Sequence, residues 1–339
     1  MILGIESSCD ETAAAVYDGA QLLSNVVASQ NDHIDYGGIV PELASRAHER
    51  VIWDTVAQAM SDAGVTREHI DAIAVTEGPG LMGSLLVGLC FAKGLSVQWQ
   101  KPVIGVNHID AHIYATFIDE KPELPFVSLV VSGGHTQLFH VPRPLRHEIM
   151  GQTRDDAAGE AFDKIGKLLG LDYPAGPVMD RLAASGDASF YDFPRAMLRK
   201  GLDFSFSGLK TSVLYYIQDI PEEQRDDYLK KHLNDLCASI SAAITDVLIH
   251  KLRQAVRETG VKSVVIAGGV SANSMLREKA RKMTGQLGIS LHIPHPEYCT
   301  DNAAMIAVTG WFKAREGQYD DLRLKPYARH QWDKKSSAV

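Results

Sequence analysis

Two stretches of this chain follow one plan, and that repetition limits the folds open to it. Residues 2–5 and 13–17 are apolar runs joined by Glu6-Ser7-Ser8-Cys9-Asp10-Glu11-Thr12. Residues 126–131 and 137–141 are apolar runs joined by Ser132-Gly133-Gly134-His135-Thr136. Each reads as a β-hairpin with a tip of small polar groups. In the first half, residues 21–29, 70–76 and 103–106 read as strands. Residues 40–64 read as a helix with Leu43, Ala47, Val51, Val56 and Met60 toward the core. In the second half the pattern restarts, with polar helical segments and a loop region near 188–207. A long helix at 228–259, a strand at 263–267, a helix at 271–283, a strand at 290–293 and a helix at 301–313 follow.

Two hairpin-started halves predict an α/β protein of two lobes produced by duplication, with ligand and metal in the cleft between them. A length of 339 residues also favours two units. The predicted division is an N-terminal lobe of 1–107, completed by 308–325, a C-terminal lobe of 108–307, and a frayed polar tail of 326–339.

Composition narrows the function classes. Hydrophobic content of 45% with 22% charged residues is that of an ordinary globular protein. The net charge of -8 argues against a general polyanion binder, so any nucleic-acid contact needs a local basic patch or a partner. The basic clusters are weak: Arg143, Arg146 and His147; Arg195, Arg199 and Lys200; Arg277, Lys279, Arg281 and Lys282. The last reads as a solvated helix face. Cys9, Cys90, Cys237 and Cys299 form no C-x-x-C pair and fit a reducing cytoplasm. The N-terminus reads as a strand and not as a secretion signal. The most apolar window, 81–97, is cut by Gly83, Gly88, Lys93 and Gly94; it reads as a buried helix, too short and interrupted for a membrane span.

His108-Ile109-Asp110-Ala111-His112 places two histidines one helical turn apart, where both can reach one metal ion. The same spacing also arises by chance in unrelated histidines. A zinc-protease helix needs Glu after its first His, and Ile109 moves no proton. Asp301 precedes a helix and reads as its N-cap. If it joined His108 and His112, the set would suit ferrous iron, with zinc or manganese as alternatives. The two hairpin tips are either plain turns or anion cradles for the phosphates of one nucleotide. Gly268-Gly269 before a helix, with Ser271 or Asn273 as cap, is an ordinary turn or a nucleotide edge; it is no G-x-G-x-x-G fingerprint. Asp156, Glu160, Asp163 and Lys164 line one helical side, which otherwise reads as an acidic first turn.

Several motifs then occur in order. They are Gly4 to Thr12, Gly38-Ile39-Val40-Pro41-Glu42-Leu43-Ala44-Ser45-Arg46, Glu77-Gly78-Pro79-Gly80, the histidine pair and Val131 to Thr136. Asp156 to Lys164, Phe204-Ser205-Phe206-Ser207-Gly208-Leu209-Lys210 and Ala267 to Asn273 complete the series. Together they resemble the tRNA threonylcarbamoyladenosine transferases of the bacterial TsaD type, from about residue 2 to residue 304. The resemblance implies the actin/sugar-kinase/Hsp70-like ATPase fold. It implies transfer of a threonylcarbamoyl group from threonylcarbamoyl-AMP to N6 of the adenosine 3' of the anticodon, in tRNAs reading codons that begin with A, with release of AMP. Metal ligands carry over to His108, His112 and Asp301. Adenylate contacts, or contacts to ATP, ADP or AMP in the same site, carry over to Val131, Ser132, Gly133, Gly134, His135, Asp163, Gly176, Asp180 and Asn273. Asp10, Glu11 and His135 are the candidates for the general base.

The resemblance also implies partners: tRNA, a paralogous subunit of the TsaB type, a small P-loop ATPase of the TsaE type, and a separate synthase supplying the adenylate, with no membrane. Family members were once taken for glycopeptidases, which Ile109 speaks against. Rival readings are an ATPase or sugar kinase of the same fold, which has no use for the histidine pair, and a non-catalytic scaffold, which has no need of His108, His112 and Asp301.

Overall fold

The structure is a computed structural model that describes residues 1–30 and 39–329. Gly38 of the Gly38-to-Arg46 motif and residues 330–339 of the expected tail lie outside the described residues. The chain divides into two compact units, 1–121 with 294–339, and 122–293.

The first unit carries the strands β1 (Ile2–Glu6), β2 (Glu11–Tyr17), β3 (Leu22–Ser29), β4 (Ala72–Gly78) and β5 (Val103–Asn107). Its helices are α1 (Pro41–Asp62), α2 (Met82–Trp99) and α3 (His108–Tyr114). The second unit carries β6 (Phe126–Val131), β7 (Thr136–Arg143), β8 (Arg146–Gln152), β9 (Ser263–Ala267) and β10 (Ser290–His292). With them come α4 (Ala158–Leu168), α5 (Ala175–Ala183), α6 (Ser207–Gln218), α7 (Glu222–Thr259) and α8 (Ser274–Leu287). The chain then returns to the first unit with α9 (Pro296–Cys299) and α10 (Ala303–Arg315).

The sheets run β3-β2-β1-β4-β5 and β8-β7-β6-β9-β10. In each, the opening hairpin and its next strand pair antiparallel, and the two later strands add in parallel. One strand order used twice is the structural form of the repetition seen in the sequence. Helices cover both faces of the first sheet, as parallel strands require. Leu3, Ile5, Ile73 and Val75 pack with Ile52, Val56 and Leu89 of α1 and α2. The alternate residue Gly4 faces α10 so closely that a Cβ would stand 2.6 Å from the Ala303 carbonyl oxygen. Period two therefore puts Glu6 on the α10 side as well.

Several local expectations need correction, and one strand was missed. The boundary moves from 107 to 121 and the return to the first unit from 308 to 294, because α3 packs on α10 and α10 packs on the first sheet; the histidine pair and Asp301 thus belong to the N-terminal unit. The α1 core face is Ala44, His48, Ile52, Thr55, Val56 and Ala59; of the expected set only Val56 is fully buried. Polar partners draw that face round, since His48 meets Thr12 Oγ1 at 2.7 Å and the Cys9 carbonyl at 3.0 Å. Helix α2 is buried on one face only, with Met82, Leu86 and Val97 exposed. The strand β8 was not legible, because an edge strand with Arg146, His147 and Glu148 half in solvent shows no apolar alternation. In the expected tail, Tyr327 is tied down: its N–H donates to the Glu77 carbonyl at 3.0 Å, and its hydroxyl accepts from Asn107 Nδ2 at 2.9 Å. Among the described residues, no helix is long and apolar enough to cross a membrane.

Candidate metal centre

Strand β5 ends at Asn107 and the chain turns at once into α3. Asn107 Oδ1 accepts from the N–H groups of Ile109 at 2.8 Å and Asp110 at 3.1 Å, satisfying two amides that the helix cannot. The cap makes His108 the first helical residue, so His108 and His112 lie one turn apart, edge to face, with ring centroids 4.7 Å apart. The cap role expected of Asp301 falls to Asn302, whose side chain accepts from Met305 N–H at 3.0 Å. Extended backbone at Asn302 turns its amide over the first turn of α10 and leaves Asp301 for the histidines. Asp301 Oδ1 lies 3.4 Å from His108 Nε2 and 3.2 Å from His112 Nε2. One ligand atom from each of the three residues falls within 4.8 Å of the other two.

Behind the triad stands Glu6, which is completely buried. Its Oε2 lies 3.1 Å from His108 Nδ1 and accepts from Thr76 Oγ1 at 2.7 Å, while its Oε1 accepts from Ser8 N–H at 2.5 Å. Ser8 Oγ also lies 3.2 Å from His108 Nδ1. A carboxylate at Nδ1 keeps the proton there and turns the Nε2 lone pair toward Asp301, the carboxylate–histidine arrangement of metal sites. Burial opposes charge on His108, yet Asp301 and Glu6 outweigh it and hold the imidazole well above its usual range. Burial likewise opposes charge on Asp301, and the two histidines overcome it and hold its carboxyl well below the usual range. The centre is thus built to stabilise positive charge.

The residues fit a divalent cation. Among the described residues, Nδ1 of the buried His112 meets no hydrogen-bond partner, and Nε2 faces Asp301 Oδ1 at 3.2 Å without good hydrogen-bond geometry. Leaving such a group unsatisfied costs about 1–3 kcal/mol, which a metal ligated at Nε2 would offset for that atom. Nearby, Asp10 and Glu11 share a hydrogen bond; burial, then the charges of Asp301 and Asp10, push Glu11 up to about 10.

The remaining expected residues all lie in the second unit: Val131 to His135 at the end of β6 and in the turn after it, Asp163 on α4, Gly176 and Asp180 on α5, and Asn273 at the start of α8. The turn after β6 is closed by Ser132 N–H donating to the His135 carbonyl at 2.8 Å and His135 N–H donating to Ser132 Oγ at 3.2 Å. Gly133 and Gly134 have open space where a Cβ would stand. The turn is held from beneath by α4, through Gly159 N–H to the Ser132 carbonyl at 3.2 Å and Ala158 N–H to Thr136 Oγ1 at 2.8 Å. Beside it, Gly268 closes on β6, since a Cβ there would meet the Val131 carbonyl oxygen at 2.4 Å. Asp163 accepts from Ala175 N–H at 2.8 Å and from Gly176 N–H, which fixes the start of α5. Asp180 accepts from Ser274 N–H at 3.0 Å and Ser274 Oγ at 2.8 Å, and Asn273 caps α8 by accepting from Leu276 N–H at 2.9 Å. Val131, Ser132, Gly133, Gly134, His135 and Asn273 therefore gather at the carboxyl ends of the parallel neighbours β6 and β9, where open α/β sheets take their ligands.

Residues 21–308 match the TsaD family, described as tRNA N6-adenosine threonylcarbamoyltransferase. A relative of that name from Salinibacter ruber is 54% identical over 312 residues, 91% of this chain and 93% of its own. The chain belongs to the TsaD family. Another relative of that name, from Christiangramia forsetii, is 48% identical over 98% of both chains. The fold is like that of component A of (R)-2-hydroxyglutaryl-CoA dehydratase from Acidaminococcus fermentans, with a TM-score of 0.55 and 14% identity over 93% of this chain and 98% of that one. It is also like that of the ROK hexokinase of Thermus thermophilus, with a TM-score of 0.50 and 17% identity over 93% of this chain and 99% of that one. These two likenesses bear out the expected fold class and say nothing more.

As a TsaD member, the chain shows one site residue that motif reading did not single out. Glu6 stands inside the first motif, but nothing local marks it as the partner of a histidine 102 positions away. The available signal was a carboxylate at the end of a buried strand, where an acid needs a partner. The Glu6→Gln chain is expected to bind metal about 10–100-fold more weakly while keeping its fold, as loss of an outer-shell carboxylate does. Metal titration of the demetallated chain checks this, and unchanged affinity would remove Glu6 from the site.

Proposed function

We propose that this chain transfers the threonylcarbamoyl group from threonylcarbamoyl-AMP to N6 of the adenosine 3' of the anticodon, forming t6A and releasing AMP. The observation that carries the reading is the convergence of His108, His112 and Asp301, with Glu6 behind them, in a TsaD-family chain. A kinase of the same fold has no use for that centre, and a scaffold has no need to build it. His108, His112 and Asp301 hold one divalent ion, most consistent with ferrous iron, with zinc and manganese as the alternatives. Bound there, such an ion supplies Lewis acidity and charge neutralisation to phosphate and carbonyl oxygens.

The chain's own residues position the reactants. The Ser132-to-His135 turn, backed by Val131, offers small residues for close approach of the phosphate, and Asp163, Gly176, Asp180 and Asn273 frame the nucleoside. The N6 nitrogen attacks the carbamoyl carbonyl, the C–N bond forms and the C–O bond to phosphate breaks. AMP leaves with that electron pair, and the amine proton passes to a base. Asp10, Glu11 and His135 are the candidates for that base. Because the adenylate is already activated, orientation supplies much of the rate.

The reaction is placed in the cytoplasm. Its partners are tRNA, a TsaB-type subunit, a TsaE-type ATPase and a synthase that makes the adenylate. Trp53 on α1 and Leu86 and Val97 on α2 are exposed, which gives a protein partner an apolar face. Labelled threonine is expected to enter unmodified tRNA only when this chain is present with the synthase and both partners. Incorporation without it, or none with it where a family relative succeeds in the same mixture, would refute the reading.

A further inference from the structure

Helices α7 and α8 enclose a groove that the reaction above does not use. Asp246, Ile249, His250 and Arg253 line it from α7, and Lys279, Lys282, Met283 and Gln286 from α8, around a volume of about 330 Å³. Both sets recur at i, i+3, i+4 and i+7, so each is one helix face. The floor is apolar, with Ile249 and Met283 buried. The walls are cationic, and the one acid in the lining is already engaged. Asp246 pairs with Arg195 at 3.0 Å and Lys279 at 2.5 Å. Arg253 is steadied by Gln286 Oε1 at 2.8 Å and has no acidic partner among the described residues. Arg257, Arg281 and Lys282 are exposed and likewise have none.

A second feature shows that this positive field is built. Lys251 is fully buried on α7 and donates to the carbonyls of Met197 at 2.6 Å, Lys200 at 3.1 Å and Gly201 at 2.6 Å. That clamp holds the loop carrying the exposed Arg199 and Lys200 against the helix. Partial burial, and then the charges of Lys251, Arg199, Arg253 and Arg257, depress the His250 imidazole, as a concentrated cationic field does. This concentration occurs in a chain of net charge -8.

We propose that the α7–α8 groove binds the phosphate backbone of the RNA substrate, with Arg253, Arg257, Arg281 and Lys282 as phosphate contacts. The inference rests on the tRNA reading above. RNA is favoured over an acidic protein by the placement of α8. Its N-cap Asn273 is assigned to the adenylate, and Lys282 lies nine residues on, about 14 Å along the axis at ~1.5 Å per residue. An adenosine delivered to that end of α8 brings neighbouring phosphates within reach of the groove. An acidic binder as a whole needs such a local patch.

The test titrates the chain, assembled with its partners, with unmodified tRNA by fluorescence anisotropy over a range of salt concentrations. The variants are Arg253→Gln/Lys282→Gln and, with both positions exposed, Arg281→Gln/Lys282→Gln. The control is Lys230→Gln/Lys231→Gln, which removes the same charge from α7 outside the groove. Each groove variant is expected to bind tRNA about 10-fold more weakly at about 0.1 M salt and to lower the salt slope by about 2. The control should stay within about twofold, and ADP binding should be unchanged throughout. Parental affinity and slope in both groove variants would overturn the proposal, including the case where they lose an acidic protein partner instead. If the parent binds and modifies tRNA and the groove variants match it, only the groove inference fails. If the parent does neither, the tRNA reading fails and takes the groove with it.

Discussion

The His108→Ala chain is expected to lose bound metal and threonylcarbamoyl transfer together, each by at least about 100-fold. Removing an outer-shell partner of a metal site costs about 10–100-fold, and His108 is one of the three described residues placed to hold the ion themselves. The loss is not a packing effect alone, because the Glu6 carboxylate is left buried without the imidazole it orients. Asp301→Asn is the sharper companion. It keeps the side-chain size and removes the charge that joins both histidines. Metal content by mass spectrometry and the thermal midpoint with and without chelator separate the possibilities. A chelator should lower the Tm of the parent, since a ligand bound only by the folded state stabilises it. Neither variant should respond, having little metal to lose. Full metal occupancy and full transfer in His108→Ala would refute the assignment.

Gly268→Ala is expected to lower both stability and nucleotide affinity. Gly268 sits at φ 88°, ψ 161°, a region that is essentially glycine's alone. Strain there costs about 1–3 kcal/mol, and the new Cβ would also stand 2.4 Å from the Val131 carbonyl oxygen. Relief means moving the end of β6, and with it the Ser132-to-His135 turn. A loss of about 3 kcal/mol corresponds to a fall in Tm of roughly 6–12 °C for a unit of this size. The control is Gly170→Ala, at φ 75° with open space around it, which adds backbone strain without a collision. Its Tm should fall by less, and its ADP affinity should match the parent. A Gly268→Ala chain with parental Tm and ADP affinity would show that the turn does not depend on this close approach.

Much of this arrangement was legible beforehand. The paired hairpins gave the correct strands because alternation and small polar turns are local properties, as in β1–β2 and β6–β7. The histidine pair was legible because one helical turn is a local spacing. Asp301 entered as a conditional third ligand, which the family resemblance then carried over, and its local reading as a cap was off by one residue. Ser, Thr, Asp and Asn all serve as N-caps, so Asp301-Asn302 offers two equivalent candidates until the backbone of α10 chooses. The face of α1 was misjudged for a related reason. Periodicity counts apolar residues, whereas His48 is buried by hydrogen bonds to a different strand and loop.

The basic groove shows the same limit from the other side. Lys279 and Lys282 read as a solvated face because the residues that make them a wall, His250 and Arg253, lie on another helix. Most elements, though not β8, the duplicated plan and the spacing of His108 and His112 could be read from the chain, since these depend on residues a few positions apart. Packing between distant segments brought Glu6 against His108, set Asp301 within reach of both histidines and kept α3 with the first sheet. Those outcomes rest on burial and charge shared between residues 100 or more positions apart, and no local period encodes them.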